Sequence, residues 1–384
     1  MTRASAAERR RLNEVFAELC AIPSPSGEEA AVGAHVTALL ERAGYACSTD
    51  AHGNVFTRYA PPAGTDPAVA PDRRSVLLCA HLDTVPHGTT PIEPVLVDDG
   101  WENRHDAILG ADNKAAVAVM LLAAERARNP AHPPAPVDLE LLFTVREETA
   151  LAGAKAFDVS QLRSPFGYVF DHATPIGEIV MASPTYYRLE AEFRGRAAHA
   201  GIRPEDGRSA IVAAARAIAA MRLGRLDDET TANIGWISGG SAGATNVVPD
   251  RCAILGETRS LDPAKAEAIV AEMVDHCHDA ANEPLCECDL DVTVERLFDG
   301  YRHKPSSPAV LAAQRALHAC GYTPRPIASG GGADANAFEV AGLHTVCLAN
   351  GTERNHEPTE RVSVAALDGM LDVTYALLDA VAEG

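Results

Sequence analysis

Five short motifs of acidic and histidine residues carry the side chains best suited to chemistry. They are His81-Leu82-Asp83, Gly110-Ala111-Asp112-Asn113-Lys114, Glu147-Glu148, Asp171 and Asn355-His356-Glu357. Imidazole and carboxylate groups form the mixed ligand set that suits zinc and that cobalt or manganese also tolerates. A further carboxylate beside such ligands supplies the general base that a metal-assisted hydrolase needs. These residue types therefore predict a metal-dependent hydrolytic site.

Some of these residues also have a structural interpretation. Asp112 opens a predicted helix, where aspartate is a common N-cap. Asp171 ends a predicted strand, and a solvated carboxylate at that position is as ordinary as a ligand. His356 lies in a polar segment, where a single histidine is more often a surface residue. None of these positions identifies a site by itself.

Two pairs are harder to explain without a cation. Glu147 and Glu148 are adjacent carboxylates just past an apolar strand, and they repel one another at a high desolvation cost. Asp83 follows His81 by two residues, a spacing that puts both side chains on one face of a strand. We therefore expect Asp83 to hold the His81 ring from behind, as metal-bound histidines require.

The elements that must position these residues alternate between strand and helix. Nearly continuous apolar runs at residues 75–80, 138–145 and 168–170 predict strands that are buried on both faces. A helix is predicted over residues 113–128, and Ser26 is expected to cap an earlier one. This alternation predicts an α/β fold with a mostly parallel mixed sheet covered by helices on both faces.

The pattern changes after residue 183. Between residues 184 and 296 the expected order is strand, helix, strand, strand, helix, strand, which is the signature of a ferredoxin-like α+β layer. Its length suits a small domain inserted into a larger one. Residues 1–183 and 297–384 are then the two parts of a discontinuous catalytic domain, and residues 184–296 form a lid or dimerisation domain.

Composition limits the possible partners. The 384 residues carry a formal net charge of −20, which argues against nucleic-acid or anionic-membrane partners because both require a basic surface. The apolar stretch 115–124 is too short to cross a bilayer, and no signal peptide is visible. Nine cysteines without disulfide-like spacing fit a cytoplasmic location. The cluster at residues 275–288 is more easily explained by helix packing than as another metal site.

The motifs resemble those of the co-catalytic zinc exopeptidases and deacylases, a family that includes peptidase T, carboxypeptidase G, acetylornithine deacetylase and aminoacylase. Residues 80–86, 109–114 and 144–148 carry the most specific similarity. The run Gly330-Gly331-Gly332-Ala333-Asp334-Ala335-Asn336, together with His356, is closest to the peptidase T branch. The resemblance extends over essentially the whole chain, including the expected insertion.

The resemblance implies two zinc ions per chain. Asp112 would bridge them, His81 and Asp171 would complete one site, and Glu148 and His356 would complete the other. It also implies a cis peptide bond after Asp112.

The resemblance further implies roles in catalysis and substrate binding. Glu147 would be the general base, and His199 would donate to the oxyanion, in several relatives from a partner subunit. Asn246 and Arg259 would grip the carboxylate end of the substrate, although an ion pair with Asp262 is the structural alternative for Arg259.

These expectations converge on hydrolysis of an amide bond in a short peptide with a free carboxylate, by a di- or tripeptide aminopeptidase. Asp334 is then expected to receive the substrate α-amine. An N-acyl-amino-acid deacylase or a carboxypeptidase is the alternative within the same fold. A non-catalytic binding protein is the alternative of another class, and the presence of Glu147 with every ligand position argues against it. A homodimer through the lid is a further expectation.

Overall fold

The computed structural model describes residues 3–59, 74–133 and 135–384. Its α-helices are α1 (Ala6–Cys20), α2 (Ala30–Arg42), α3 (Ala111–Arg128), α4 (Ala152–Ala156), α5 (Ala210–Ala220), α6 (Pro263–Asn282), α7 (Pro308–Cys320), α8 (Asp334–Val340) and α9 (Val364–Glu383). Its strands are β1 (Cys47–Thr49), β2 (Val55–Tyr59), β3 (Ser75–His81), β4 (Pro94–Val97), β5 (Gly100–Asn103), β6 (Asp138–Thr144), β7 (Phe166–His172), β8 (Glu178–Ser183), β9 (Thr185–Arg194), β10 (Gly224–Arg225), β11 (Thr230–Gly239), β12 (Arg251–Ser260), β13 (Asp289–Phe298), β14 (Tyr301–Arg302), β15 (Arg325–Ala328), β16 (His344–Ala349), β17 (Thr352–Glu353) and β18 (Arg361–Ser363).

The chain divides into two compact units. The first comprises Met1–Met181, Arg302–Ser329 and Ala333–Gly384, and the second comprises Ala182–Tyr301 and Gly330–Gly332. The boundaries expected from the sequence, 184 and 296, lie inside those of the second unit. The first unit is therefore discontinuous in sequence.

A nine-stranded mixed sheet forms the centre of the first unit. Its order is β1-β2-β6-β3-β7-β16-β8-β14, with β15 pairing to β8. The four central strands β6, β3, β7 and β16 run parallel, whereas β1, β2 and β8 pair antiparallel. The central strands are parallel because helical crossovers connect them, and such strands must be covered on both faces.

Burial along the central strands agrees with this arrangement. Every residue of β3 is buried, as are all residues of β6 after Asp138. Helix α3 is apolar around most of its circumference and packs on β3 and β7. A helix that is apolar on all sides must lie inside the protein, between the sheet and other helices. Helices α1, α2 and α9 pack against it.

A separate four-stranded sheet holds the loops at one edge of the first unit. Its order is β17-β18-β5-β4, and all its pairs are antiparallel. The strands are short, and the pairing joins Val362 to Trp101 across most of the chain. The segment between β17 and β18 carries His356 and is thereby fixed at both ends.

The second unit has the predicted ferredoxin-like arrangement. Its five-stranded antiparallel sheet has the order β10-β11-β12-β9-β13, and helices α5 and α6 pack against one another and on the strands. Apolar residues of β9, β12, α5 and α6 form its own buried cluster, separate from that of the first unit. The predicted fold class, an α/β domain with an inserted α+β domain, is confirmed. Within the described ranges, no helix combines the length and apolarity needed to cross a membrane.

Candidate active site

Three neighbouring parallel strands of the first unit end at one edge of its sheet, next to acidic or imidazole side chains. His81 is the last residue of β3, Asp171 lies at the end of β7, and Glu147 follows β6. Strand β3 pairs with β6 on one side and with β7 on the other. The chain therefore adds its next strands on opposite sides of β3, and the strand order changes direction there. Open α/β sheets bind their ligands at the carboxyl ends of strands near such a reversal. The fold thus brings three of the predicted motifs together.

Asp112 lies between the two predicted histidine ligands. Its Oδ1 atom is 3.3 Å from His81 Nε2, and its Oδ2 atom is 3.4 Å from His356 Nε2. Within the described ranges, buried Oδ1 accepts no hydrogen bond. A carboxylate whose oxygens face two imidazoles in this way is placed to share two cations, as in two-metal hydrolytic sites. The peptide bond after Asp112 is cis, as the resemblance implied.

The remaining acidic residues lie on either side of this carboxylate. Asp171 Oδ1 is 3.5 Å from His81 Nε2, and Glu148 Oε1 is 2.9 Å from His356 Nε2. Two groups of potential ligand atoms each lie within 4.8 Å of one another, those of His81, Glu147 and Asp171 and those of His81, Asp112 and Glu148. The predicted metal ligands and the predicted base therefore form one cluster.

Crowding shifts the pKa values of the carboxylates. Burial raises the pKa of Glu147 well above its usual range, and the charge of Asp171 raises it further. Burial also raises the pKa of Asp171, and the His81 ring opposes this shift only in part. Divalent cations would stabilise the ionised carboxylates and remove their mutual repulsion. This donor set, with the unpartnered Asp112 Oδ1, fits cations of the zinc type.

The pKa values of the two imidazoles are also raised, but the cause is their attraction to the carboxylates and not burial. Burial lowers the pKa of His81, but the carboxylates of Asp171 and Asp112 outweigh it and raise that pKa well above its usual value. Hydrogen bonds to Asp112 and Glu148 raise the pKa of His356 to about 10. A cation at these nitrogens must displace protons, so its affinity falls as the pH is lowered.

Asp83 lies beside both the His81 ring and the segment of the two glutamates. His81 Nδ1 lies 3.0 Å from the backbone carbonyl of Asp83 and 3.5 Å from its carboxylate. Because a carbonyl only accepts, Nδ1 carries a proton and Nε2 is left to hold a cation. The buried Asp83 carboxylate also accepts the amides of Glu147 and Glu148, at 2.9 and 3.2 Å, and the Ser26 hydroxyl at 2.7 Å. The predicted capping of α2 by Ser26 is therefore wrong.

Two asparagines that received no role from the sequence donate hydrogen bonds to predicted ligands. Asn113 Nδ2 donates to Asp171 Oδ1 at 3.0 Å, and Asn355 Nδ2 donates to Asp112 Oδ2 at 2.7 Å. Ligating carboxylates commonly need such second hydrogen bonds to fix their orientation. Each asparagine is the sequence neighbour of a predicted ligand in one of the motifs, and this position could have suggested its role.

Arg259, one of the residues predicted to grip the substrate, lies in the second unit. Its guanidinium is 3.1 Å from the Glu257 carboxylate and 4.1 Å from the centre of the Tyr186 ring. The structural alternative, an ion pair with Asp262, is wrong, because the Asp262 carboxylate caps α6. The role of Arg259 toward substrate stays a prediction.

His199 and Asn246 are exposed residues of the same unit. The loops that carry them are joined, since the amide of Ala200 donates to the carbonyl of Asn246 at 2.9 Å. His199 Nδ1 accepts the amide of Gly201 at 3.2 Å, which leaves Nε2 directed away from that contact. Their predicted functions also stay predictions.

Asp334 is buried in the first unit, with 1% of its surface exposed. Its Oδ2 accepts from the hydroxyl of Thr144, which pairs with His81 across β3 and β6, and lies 3.8 Å from the Cys79 thiol. Burial raises the pKa of Asp334 to about 6. The carboxyl group therefore lies behind the strand ends, and its predicted contact with a substrate amine stays a prediction.

A further histidine–glutamate group in the first unit is explained by hydrogen bonding. Glu339 Oε1 accepts from His344 Nδ1 at 2.8 Å and from the Thr345 amide at 2.7 Å, with His303 3.8 Å away. Among the residues that the structure describes, no metal-binding group includes the cluster at 275–288. Its buried cysteines, Cys277, Cys286 and Cys288, belong to the core of the second unit.

A largely buried cluster of carboxylates and imidazoles at the end of a parallel sheet is the arrangement expected of a metal-dependent hydrolase. Residues 185–283 match the M20 peptidase dimerisation domain, and residues 54–173 match peptidase family M28. The uncharacterized protein YqjE of Bacillus subtilis is 36% identical over 80% of this chain and 81% of its own length. Several fungal relatives bear the name "Probable carboxypeptidase".

Two solved structures resemble the chain over nearly its full length. Aminopeptidase PepT from Bacillus cereus is 35% identical, with a TM-score of 0.82 over 97% of this chain and 99% of that one. A tripeptidase from Staphylococcus aureus is 30% identical, with a TM-score of 0.88 over 98% and 99%. The chain belongs to the M20 family of metallopeptidases, in its peptidase T-like branch. The predicted enzyme class is thereby confirmed.

Proposed function

We propose that this metallopeptidase is an aminopeptidase that releases the first residue of di- or tripeptides, using two zinc ions. The main observation behind this proposal is the position of Asp112. One of its carboxylate oxygens faces His81 and the other faces His356. Asp171 would complete the first metal position and Glu148 the second. The names of the related aminopeptidase and tripeptidase support the substrate class.

Glu147 is the general base in this proposal. Two bound cations would lower the pKa of a water molecule and polarise the scissile carbonyl. Glu147 takes the proton of the attacking water and later returns it to the leaving amine. Its amide is held by the buried Asp83 carboxylate at 2.9 Å, which fixes the start of the Glu147 side chain relative to His81.

The second unit supplies the remaining proposed contacts. Arg259 would bind the substrate carboxylate together with Asn246, and His199 would donate to the developing oxyanion. Arg259 is pre-organised for this purpose, since Tyr186 and Glu257 fix the plane of its guanidinium. A flat, immobilised guanidinium loses less freedom when it binds a carboxylate in a bidentate manner.

A homodimer through the second unit and a cytoplasmic location complete the proposal. The dimerisation-domain match and the exposed apolar side chains of Trp236 and Ile237, 48% and 50% exposed, support the dimer. All nine cysteines are free, which suits a reducing compartment. Sedimentation equilibrium of wild type and of Trp236→Glu tests the dimer. A monomeric wild-type protein would refute it.

A substrate panel tests the aminopeptidase assignment. Metal-stripped enzyme is assayed with Leu-Gly-Gly, Leu-Gly, N-acetyl-Leu-Gly-Gly, N-acetyl-leucine and Leu-Gly-Gly amide, before and after addition of zinc or cobalt. Zinc-dependent release of leucine from the free peptides, with the acetylated and amidated substrates resistant, is expected. Release of glycine from the acetylated tripeptide would establish a carboxypeptidase, the activity in the names of the fungal relatives. Cleavage of N-acetyl-leucine would establish a deacylase, and binding of peptide without any cleavage would establish a non-catalytic protein.

A further inference from the structure

Glu360 is a buried residue whose side chain binds the backbone amides at and just before Asp112. It follows the proposed ligand His356 in the loop before β18 and is only 2% exposed. Its Oε2 accepts the amides of Leu109 and Gly110, at 2.9 and 2.7 Å, and its Oε1 accepts the amide of Asp112 at 2.9 Å. One side chain thus satisfies three backbone donors that are about 250 residues away in the chain.

These donors have no local alternative. Helix α3 has Gly110 as its N-cap, and glycine has no side chain with which to bond the first amides. Gly110 adopts φ +76°, and Asp112 departs from helical geometry at φ −83°, ψ 107°. The start of the helix is therefore irregular, and its backbone amides require a hydrogen-bond acceptor from elsewhere in the chain.

The segment that carries Glu360 also holds the Asp112 side chain. Asn355 donates to Asp112 Oδ2 at 2.7 Å, and His356 Nε2 lies 3.4 Å from the same oxygen. The backbone and the carboxylate of Asp112 are thus fixed by a single short segment. Rotation of the carboxylate would bring one of its oxygens out of line with His81 or His356.

Both oxygens of the Glu360 carboxyl group are used in this arrangement. A carboxylate offers acceptors on both oxygens, so it can receive all three amides, whereas an amide side chain offers acceptors on one oxygen only. The ammonium of Lys114, fully buried and bonded to the Ile22 carbonyl at 2.6 Å, provides an opposite charge beside Gly110. Glutamine at position 360 would turn a donor toward at least one buried amide and leave it unpaired.

We propose that Glu360 is a positioning residue that sets the orientation of Asp112, so that one carboxylate serves both metal positions at once. The inference rests on the proposed function insofar as Asp112 is taken as the bridging ligand. Under this proposal, Glu360 controls the affinity of the protein for the second cation. That affinity can be measured without any assay of peptidase activity. Loss of comparable supporting contacts in metalloproteins lowers metal affinity or activity by about 10–100-fold.

The test is a cobalt titration of metal-stripped protein in competition with a chelator, followed by the visible absorption of bound Co²⁺. Wild type, Glu360→Gln and the matched control Glu353→Gln are compared, because Glu353 is an exposed carboxylate of the same region. Glu360→Gln is expected to bind the second Co²⁺ about 10–100-fold more weakly, with an altered absorption band. Glu353→Gln is expected to behave as wild type.

A purely structural role would give a different result. Circular dichroism and unfolding midpoints establish that each variant is folded before titration. If Glu360→Gln does not fold, Glu360→Asp replaces it, since aspartate keeps the charge but is too short to reach all three amides. A folded variant that binds both cations with wild-type affinity and spectrum would overturn the proposal. A wild-type protein that binds two cations but cleaves no peptide would contradict the aminopeptidase assignment and leave this inference standing.

Discussion

Glu147 and Glu148 are adjacent residues that receive opposite tasks. Glu148 lies 2.9 Å from the His356 ring in the metal cluster, whereas Glu147 is the proposed base. Replacing Glu147 by glutamine removes the proton acceptor but keeps the size of the side chain. We expect kcat to fall about 10²–10⁴-fold with both cations still bound. Steady-state kinetics and metal analysis check this.

The matched variant Glu148→Gln provides the control for that experiment. It removes one proposed ligand, so metal content should fall together with activity. Near-normal turnover by Glu147→Gln would remove Glu147 from the role of base. Loss of metal from Glu147→Gln would instead identify it as a ligand.

We expect His303 to make the stability of the protein dependent on pH. Burial lowers its pKa to about 4, although Glu339 opposes the shift. In the unfolded chain a histidine has a pKa of about 6.5, so between that pH and pH 4 only the unfolded state gains the proton. Stability is therefore lost as the pH falls through this window, by up to roughly 3 kcal/mol. Urea unfolding of metal-free protein at pH 7 and pH 5 measures the loss, and His303→Gln should reduce it. An equal loss in both proteins would refute the assignment to His303.

The sequence predicted residue types in the site better than it predicted their contacts. His81, Asp112, Glu148, Asp171 and His356 lie together as expected, because motifs at strand ends converge on one edge of a parallel sheet. The individual hydrogen bonds could not be predicted from these motifs. The role of the Asp83 carboxylate depends on the path of the chain beyond β3, and that of Glu360 depends on a contact across most of the chain.

At the scale of elements, helix α4 fixes the segment that leads to Glu147 and Glu148. Gly153 of α4 packs directly on the backbone of Val145, and an added Cβ would overlap the Val145 carbonyl oxygen and lie 2.6 Å from Asn54 Oδ1. Gly153→Ala should therefore destabilise the protein by about 1–3 kcal/mol and lower kcat, because the strain is relieved by moving the segment before Glu147. Chemical unfolding and kinetics measure both effects.

Gly33 of α2 supplies the matched control. An added Cβ would lie 3.8 Å from Leu82 Cδ1, an ordinary contact distance, and the residue has no positive φ. Gly33→Ala should stabilise the protein by about 0.4–1 kcal/mol, since alanine restricts the unfolded chain. Equal effects of the two substitutions would contradict the packing argument.

Elements with a strong local pattern were predictable, and short elements without such a pattern were not. The central strands β3, β6 and β7 and helix α6 follow from apolar runs and helical periodicity. The four-stranded sheet of β4, β5, β17 and β18 was not predicted. Its short strands are mostly only partly buried, and its two local hairpins are joined by the pairing of β5 with β18 across most of the chain. Helix α8 was also missed, since it is only seven residues long and follows a glycine run.

At the scale of the whole molecule, metal binding should stabilise one unit and not the other. All the proposed metal ligands belong to the first unit, and the second unit has its own buried core. A cation that binds only the folded state adds about 2.7 kcal/mol at a concentration 100 times its Kd. Chelation should therefore lower the unfolding midpoint of the first unit, and zinc should restore it. Differential scanning calorimetry with and without chelator checks this, and an equal shift of every transition would contradict it.

The discontinuity of the first unit has a consequence for biosynthesis. Strand β16 pairs in parallel with β7 in the middle of the sheet, yet the ribosome makes it only after the entire second unit. Until β16 arrives, β7 presents an unpaired, largely apolar edge, which is a site for aggregation or chaperone binding. The second unit is continuous apart from three glycines and pairs its strands only with one another, so it can fold during that interval. The second unit can therefore fold before the first unit completes its sheet, and peptidase activity on the nascent chain is not expected until then.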